Sequence, residues 1–413
     1  MIKIKTFKQS LLIGLLLTAP GLTVTAQSSL ENINQNLRYS RYSRLALKVI
    51  PIKEEDRTFK LQMLAEKLEA DPQFSDYLFS YSLVSSFQES ITEEKIIPLE
   101  ESDLKYDTES HYYFEEIVEI PSSQEEAYVV FWAKDLRQDD EYVYHTNLIS
   151  PFVFEQTDFG AYYGNNIPFD QTFLHVNEAL LFKSNKGVNL YSYFYPQDFH
   201  VPLPPMETKT PAVQKEVSVI DDGDFLVNAP KTFDREGYYF IQSDTSSSAG
   251  LLVKTVPESF PNVPSWEEMV ERVAYISTRK EHEALLEADN KKSALDQYWI
   301  NITKDEEKAK ALIREYFRQV EFANILFSGF KEGWMTDRGM IYIVMGPPQE
   351  VYFHSDREIW IYDGINSKSK INFTFARVKN ILTPNYYILN RSRAYQPEWF
   401  KSITLWRSGR MAF

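Results

Sequence analysis

Residues 333–348 read GWMTDRGMIYIVMGPP, and this stretch decides how the C-terminal part of the chain folds. Thr336 and Asp337 can both hydrogen-bond to neighbouring backbone amides, which predicts a tight turn capped by the aspartate. Gly339 is expected to supply a positive φ in that turn. We expect Trp334 to insert between the preceding helix and the element that follows the turn.

The apolar run after the turn is interpreted as a strand. Residues 341–345 are apolar on both faces of an extended chain, which predicts a central strand covered on both sides. Gly346, Pro347 and Pro348 then stop it abruptly. Arg338 is expected to be exposed or ion-paired.

Helix signals precede this stretch. Ser265 with Glu268 forms a capping box before an amphipathic segment, and Thr303 with Glu306 does the same before a longer one. Residues 293–300 predict a shorter helix between them. Residues 257–413 are therefore expected to form an α+β domain, with helices packed on a small antiparallel sheet.

These residues resemble the GWxTD domain, a family named for the pentapeptide. The resemblance spans about residues 295–390 and implies an exported bacterial envelope protein, with β-rich segments before the domain and no assigned catalytic residues. Outside the pentapeptide it rests on Trp299, residues 314–317, residues 322–324, residues 346–348 and residues 358–362. The residues expected to be structural are Gly333, Trp334, Thr336, Asp337, Arg338, Gly339, Gly346, Pro347, Pro348 and Trp360.

The chain before residue 257 alternates polar and apolar residues in short runs separated by turn sequences. This pattern predicts a β-sandwich over residues 27–150 and a second, smaller sandwich of immunoglobulin-like build over residues 151–256. A helix over residues 61–68 is an alternative interpretation of one run. The proline-rich residues 201–211 predict an exposed extended loop, either a binding surface or a simple strand connection.

The first 26 residues have the three parts of a signal peptide. Lys3, Lys5 and Lys8 precede the apolar residues 11–17, and small residues end at Ala26. We expect cleavage near Ala26 and export to the periplasm or cell envelope, with an uncleaved anchor as the alternative. No later run approaches the roughly 18 apolar residues of a spanning helix, so we do not expect an integral protein.

The 413 residues contain no cysteine, which excludes disulfides, thiolate metal sites, a Cys nucleophile and a lipidated N-terminal cysteine. Charge is uneven: residues 28–150 carry 12 basic and 25 acidic residues, whereas residues 364–413 carry nine basic residues and one acid. The gradient indicates a docking surface for a partner, an acidic domain docked on a basic one, or merely solvated faces. Export argues against nucleic acid as the partner.

The basic, aromatic C-terminal end is the candidate partner-binding region, and another envelope or outer-membrane protein is the expected partner. Its residues are Arg391, Arg393, Trp399, Lys401, Trp406, Arg407 and Arg410.

The sequence shows no phosphate loop, dinucleotide fingerprint or nucleophile elbow, and we expect no cofactor. None of the six histidines has a metal-ligand spacing, and acidic strings such as residues 221–224 allow weak calcium binding at most. We therefore predict a non-enzymatic scaffold or interaction module in an envelope assembly. The alternatives are a hydrolase of peptide or glycan, with Asp337 as base, His354 as acid–base group and Arg338 clamping an anion, and a carbohydrate-binding protein that uses exposed aromatics.

Overall fold

The computed structural model of the protein describes residues 28–184, 189–196, 199–208, 218–364 and 370–411. The predicted signal peptide lies outside these residues, as does part of the proline-rich loop. The described chain is mainly β, and its six α-helices all follow residue 265. None of these helices combines the length and the apolar character needed to cross a bilayer.

The first ten strands build two four-stranded antiparallel sheets and a short ribbon. Sheet B has the order β2-β3-β8-β7, sheet C has the order β10-β9-β4-β6, and β1 pairs with β5. The strands are β1 (Ser28–Ser29), β2 (Leu45–Glu55), β3 (Thr58–Lys67), β4 (Tyr77–Val84), β5 (Ser90–Ile91), β6 (Ile97–Leu99), β7 (Leu104–Asp107), β8 (His111–Glu119), β9 (Ala127–Asp135) and β10 (Glu141–Ile149). The alternative helix over residues 61–68 is wrong, because this segment is most of β3.

Sheets B and C enclose one hydrophobic cluster between their facing sides. Strand β9 is apolar along its length because both of its sides are covered. Val129 and Phe131 point into the cluster between the sheets, whereas Val130 and Trp132 join the cluster of the C-terminal helices. Strand β9 is therefore a central strand that is covered on both sides.

The next eight strands form a three-stranded sheet, β11-β13-β16, and a five-stranded sheet, β12-β18-β17-β14-β15, around a separate cluster. The strands are β11 (Phe159–Tyr162), β12 (Leu174–His175), β13 (Ala179–Ser184), β14 (Asn189–Tyr195), β15 (Asp221–Leu226), β16 (Pro230–Thr232), β17 (Gly237–Gln242) and β18 (Leu251–Val256). The acidic string of residues 221–224 lies in β15 and pairs with β14.

The C-terminal part places the helices against a four-stranded antiparallel sheet of order β19-β20-β21-β22, as the sequence predicted. The helices are α1 (Trp266–Arg272), α2 (Arg279–Glu287), α3 (Lys291–Thr303), α4 (Glu306–Phe327), α5 (Asp337–Met345) and α6 (Gln396–Arg407). The strands are β19 (Glu350–Phe353), β20 (Arg357–Asp363), β21 (Lys370–Arg377) and β22 (Tyr387–Leu389).

Two local predictions in this part are wrong. Residues 341–345 belong to helix α5, because Thr336 caps its first turn and the helix is buried on every side, so that its sequence shows no helical period. The cap of α4 is Asp305, whose side chain accepts a hydrogen bond from Lys308 N. Thr303 instead ends α3. The predicted Ser265 cap of α1 is confirmed.

The N-terminal residues of the described chain belong to the C-terminal core. Leu30 and Tyr39 are buried in the same cluster as α4, α5 and the β19–β22 sheet. The backbone of Gln35 donates to Val351 O, and Val351 N donates to the side chain of Asn34. The C-terminal part is thus completed by residues more than 300 positions earlier in the sequence.

Candidate functional site

Thr336 organises the turn of the pentapeptide. Its hydroxyl donates to Gly333 O at 2.7 Å and accepts from Gly339 N at 2.9 Å, so one side chain closes the 3-10 turn of Gly333–Met335 and caps α5. The cap is therefore Thr336, and the prediction that Asp337 caps the turn is wrong. Asp337 is the first residue of the helix.

Both glycines of the motif are required by close backbone approach. A Cβ on Gly333 would lie 1.8 Å from Ala323 O in α4, and a Cβ on Gly339 would lie 1.9 Å from Gly333 O. The expected positive φ at Gly339 is wrong, because its φ lies outside the left-handed range. The turn thus packs directly against the backbone of α4.

Trp334 is 3% exposed and is held by polar contacts at three points. Its backbone N–H donates to Asn324 Oδ1 at 3.1 Å, its indole N–H donates to Glu332 Oε2 at 2.8 Å, and its carbonyl accepts from the Tyr275 hydroxyl at 2.5 Å. The guanidinium of Arg272 lies over its ring. Trp334 therefore joins α4 to the end of α1, rather than to a strand.

Asp337 is 8% exposed and both of its carboxylate oxygens accept hydrogen bonds. Oδ2 accepts from Leu389 N at 2.8 Å, while Arg391 donates to Oδ1 at 2.5 Å and to Oδ2 at 3.1 Å. Arg391 also donates to Leu203 O in the proline-rich stretch. Asp337 therefore connects α5 to β22 and, through Arg391, to a loop of the preceding β region.

Arg338 is buried in an ion pair with Glu358, which has no exposed surface. The Glu358 carboxylate accepts from Arg338 at 3.1 Å, from the Tyr39 hydroxyl at 2.7 Å and from the Trp360 indole at 2.5 Å. Arg338 donates in addition to Asn385 O at 2.9 Å. Burial and the charge of Glu358 raise the pKa of Tyr39 well above its ordinary value, so this phenol remains a donor.

The end of α5 is fixed by Gly346, whose φ of 82° permits a turn that L side chains rarely adopt. Its carbonyl accepts from the Tyr362 hydroxyl at 2.8 Å, and Pro347 and Pro348 follow before β19. Trp360 is fully buried among aromatic rings that include Tyr39.

The candidate partner-binding residues separate into core and surface. Trp399 and Trp406 are buried, and the Trp406 indole donates to Val344 O at 3.0 Å. Arg407 is paired with Glu281 at 2.8 Å, and its hydrogen bonds lower the pKa of that carboxyl to about 2. With Arg391 bound to Asp337, the residues that face solvent are Arg393 and Arg410, together with the half-buried Lys401.

The residues of the hydrolase alternative have separate partners. His354 lies at the β19–β20 turn with its Nδ1 3.3 Å from Glu31 Oε2, while both oxygens of Asp337 are bound to β22 and Arg391. Arg338, the proposed anion clamp, is committed to Glu358. The geometry thus gives each of these groups a structural contact.

Sequence reasoning did not single out Tyr39, Asn324 or Glu358, which complete the site. Asn324 and Glu358 lie within segments of the family resemblance, which was the available signal. Tyr39 is 319 residues from Glu358, and its neighbouring sequence carries no sign of that contact. The described residues also bring together three potential metal ligands far from the motif, namely Glu66, His111 and Asp170.

Comparison with known protein families gives a match for the C-terminal part of the chain. The model of the GWxTD domain family matches residues 237–408, from β17 to the residue after α6. No curated protein and no solved structure matches the chain.

Proposed function

We propose that this chain, whose residues 237–408 form a GWxTD domain, is an exported, non-enzymatic scaffold or interaction module in a bacterial envelope assembly. One observation carries the proposal: the polar side chains of the signature, Thr336, Asp337 and Arg338, are all engaged in contacts within the chain. A signature devoted to internal contacts is suited to holding a framework rather than to transforming a substrate.

The contacts of the signature join distant segments. Arg338 and Glu358 hold Tyr39 from the N-terminal segment, while Asp337 and Arg391 hold β22 and the carbonyl of Leu203. Removing one partner of a buried ion pair costs about 3–5 kcal/mol, because the other charge is left buried and uncompensated, so the packing of these segments depends on both partners being present. The framework keeps the outer surfaces of the β regions in fixed relation to the C-terminal domain.

The remaining C-terminal cations supply the proposed docking surface. Arg393 and Arg410 are exposed, Lys401 is half-buried, and the Phe400 side chain between them in sequence is 51% exposed. Aromatic and arginine side chains are enriched at protein interfaces. An acidic surface on another envelope protein is the partner that this combination fits, and its association should weaken as salt rises.

Export, the envelope location and the domain division are further parts of the proposal. Export and location are supported by the sequence of residues 1–26 and by the family resemblance. The division at about residues 150 and 256, and the immunoglobulin-like build of the second unit, are supported by the separate clusters that the two pairs of sheets enclose.

The proposal is tested by cross-linking in cells of the source bacterium. A photo-reactive residue at Phe400 should give one specific adduct with an envelope protein, and Arg393→Glu with Arg410→Glu should abolish it. Lys280→Glu, an exposed cation on α2, is the matched control and should leave the adduct unchanged. Absence of an adduct, or an adduct that survives both charge reversals, would contradict the proposed surface.

A further inference from the structure

Glu66 and His111 are neighbours across two strands of sheet B. They are directly paired in the β3–β8 register, so their side chains project from the same side of the sheet. Leu64 and Tyr113 lie on that side as well and pack against Ile167. The side that carries Glu66 and His111 is therefore the one covered by the segment that follows β11.

Asp170 comes from that covering segment and completes a group of three. One ligand atom from each of Glu66, His111 and Asp170 lies within 4.8 Å of the other two. His111 Nε2 and Asp170 Oδ2 are 3.1 Å apart. Two ligands bound to one tetrahedral ion at about 2.0–2.2 Å are separated by about 3.4 Å, so this pair already has a metal-binding separation. The third ligand is a carboxylate oxygen of the half-buried Glu66, which lies within 4.8 Å of the other two ligand atoms. A rotation of this side chain that moves the oxygen by about 1.5 Å at most brings it to the same separation.

A second, independent observation points to a ligand at this place. The Asp170 side chain is 5% exposed, and its Oδ1 is buried without a hydrogen-bond partner. A buried carboxylate oxygen that lacks a donor is costly, and such groups call for a bound water or ion. A cation that Asp170 binds through both of its carboxylate oxygens, beside Glu66 and His111, would satisfy this oxygen.

Ser110 orients the histidine for ligation. His111 Nδ1 lies 2.8 Å from Ser110 Oγ, which leaves Nε2 directed at Asp170. Metal-binding histidines characteristically use the second ring nitrogen in this way, because the outer hydrogen bond fixes the ring and its tautomer.

We propose that Glu66, His111 and Asp170 bind one divalent transition-metal ion of the zinc class. One imidazole nitrogen with two carboxylate oxygens suits Zn²⁺ better than Mg²⁺ or Ca²⁺, which prefer oxygen ligands alone. The ligands come from β3, β8 and the segment after β11, so the ion links sheet B to the second β region. Its role is structural, and it is independent of the proposed scaffold function.

The test measures metal content and affinity in the purified full chain. After chelation and dialysis, titration with ZnCl₂ is followed by calorimetry, and bound zinc is counted by mass spectrometry. We expect one zinc per chain, a higher melting temperature with zinc, and zinc-dependent protection of residues 163–172 from hydrogen exchange. Asp170→Asn and His111→Gln should each weaken binding by at least about 100-fold, and Ser110→Ala by about 10–100-fold.

The matched control is His354→Gln, which disrupts a histidine with a single carboxylate partner, Glu31, at 3.3 Å. It should leave zinc affinity unchanged. Wild-type chain that binds no stoichiometric zinc and shows no shift in melting temperature would overturn the proposal, and His111 would then be an ordinary hydrogen-bonding partner of Asp170. Zinc that binds equally to the Asp170 and His111 variants would overturn it too. If a ligand variant fails to fold, the wild-type measurement and Ser110→Ala still decide the question.

Discussion

Gly333→Ala tests whether the turn of the signature is locked against α4. The new Cβ would lie 1.8 Å from Ala323 O, whereas real Cβ atoms essentially never come closer than 3.0 Å. The turn and the helix must separate by about 1.2 Å, the difference between these distances, and the obstructing atom belongs to the backbone and cannot rotate away. Overpacking of a core costs typically about 1–3 kcal/mol, and we expect a loss at the upper end, near 3 kcal/mol.

The assay is urea unfolding monitored by tryptophan fluorescence and circular dichroism. Gly329→Ala is the control, because its Cβ would meet its nearest atom, Thr383 Oγ1, at 3.8 Å. Where alanine fits, the substitution stabilises by about 0.4–1 kcal/mol through the unfolded chain. Gly333→Ala should therefore lower the midpoint while Gly329→Ala keeps or raises it. Equal midpoints in the two variants would refute the close packing of turn and helix.

Two further substitutions probe buried polar groups. The Lys254 amine is buried without a hydrogen-bond partner, and burial lowers its pKa from 10.5 to about 8. Between pH 8 and 10.5 the unfolded chain therefore binds more protons at this lysine than the folded chain does. The stability of the wild type should accordingly rise over this pH range relative to that of Lys254→Met. The variant should be up to about 3 kcal/mol more stable at pH 7, as about 1.4 kcal/mol per pKa unit implies, and a difference that does not change with pH in denaturant titrations would contradict this. Tyr39→Phe removes one hydrogen-bond donor to the buried Glu358 and should lower the free energy of unfolding by about 1.5–3 kcal/mol in the same titrations. An unchanged unfolding midpoint would show that this hydrogen bond does not hold the N-terminal segment.

The parts of the fold that sequence predicted are those with local signals. Alternation of polar and apolar residues indicated strands before residue 257, β3 among them, and the Ser265 cap identified α1. Helix α5 was interpreted as a strand. A short apolar run that is buried on all sides shows neither the helical period of apolar residues nor the alternation that is typical of a strand. The cap of α4 was misplaced by two residues because Thr303 and Asp305 are both good capping residues.

The contacts of the site were harder to predict, because they join residues far apart in the chain. That Asp337 would be structural could be inferred, but its partners, Leu389 and Arg391, lie more than 50 residues away. Trp406 was assigned to a surface on composition alone, although it packs on α5. The cluster of Glu66, His111 and Asp170 has no ligand spacing in the sequence, since strand pairing and a covering segment create it.

The central claim, that the aspartate of the signature is architectural, is tested most directly by the stability of Asp337→Asn. The substitution keeps the shape but leaves Arg391, whose side chain is 4% exposed, without its charged partner. We predict a loss of about 3 kcal/mol or more in the free energy of unfolding, and a much smaller additional loss when Asp337→Asn is combined with Arg391→Met. Wild-type stability in Asp337→Asn, together with loss of turnover of an envelope peptide or glycan, would contradict the account.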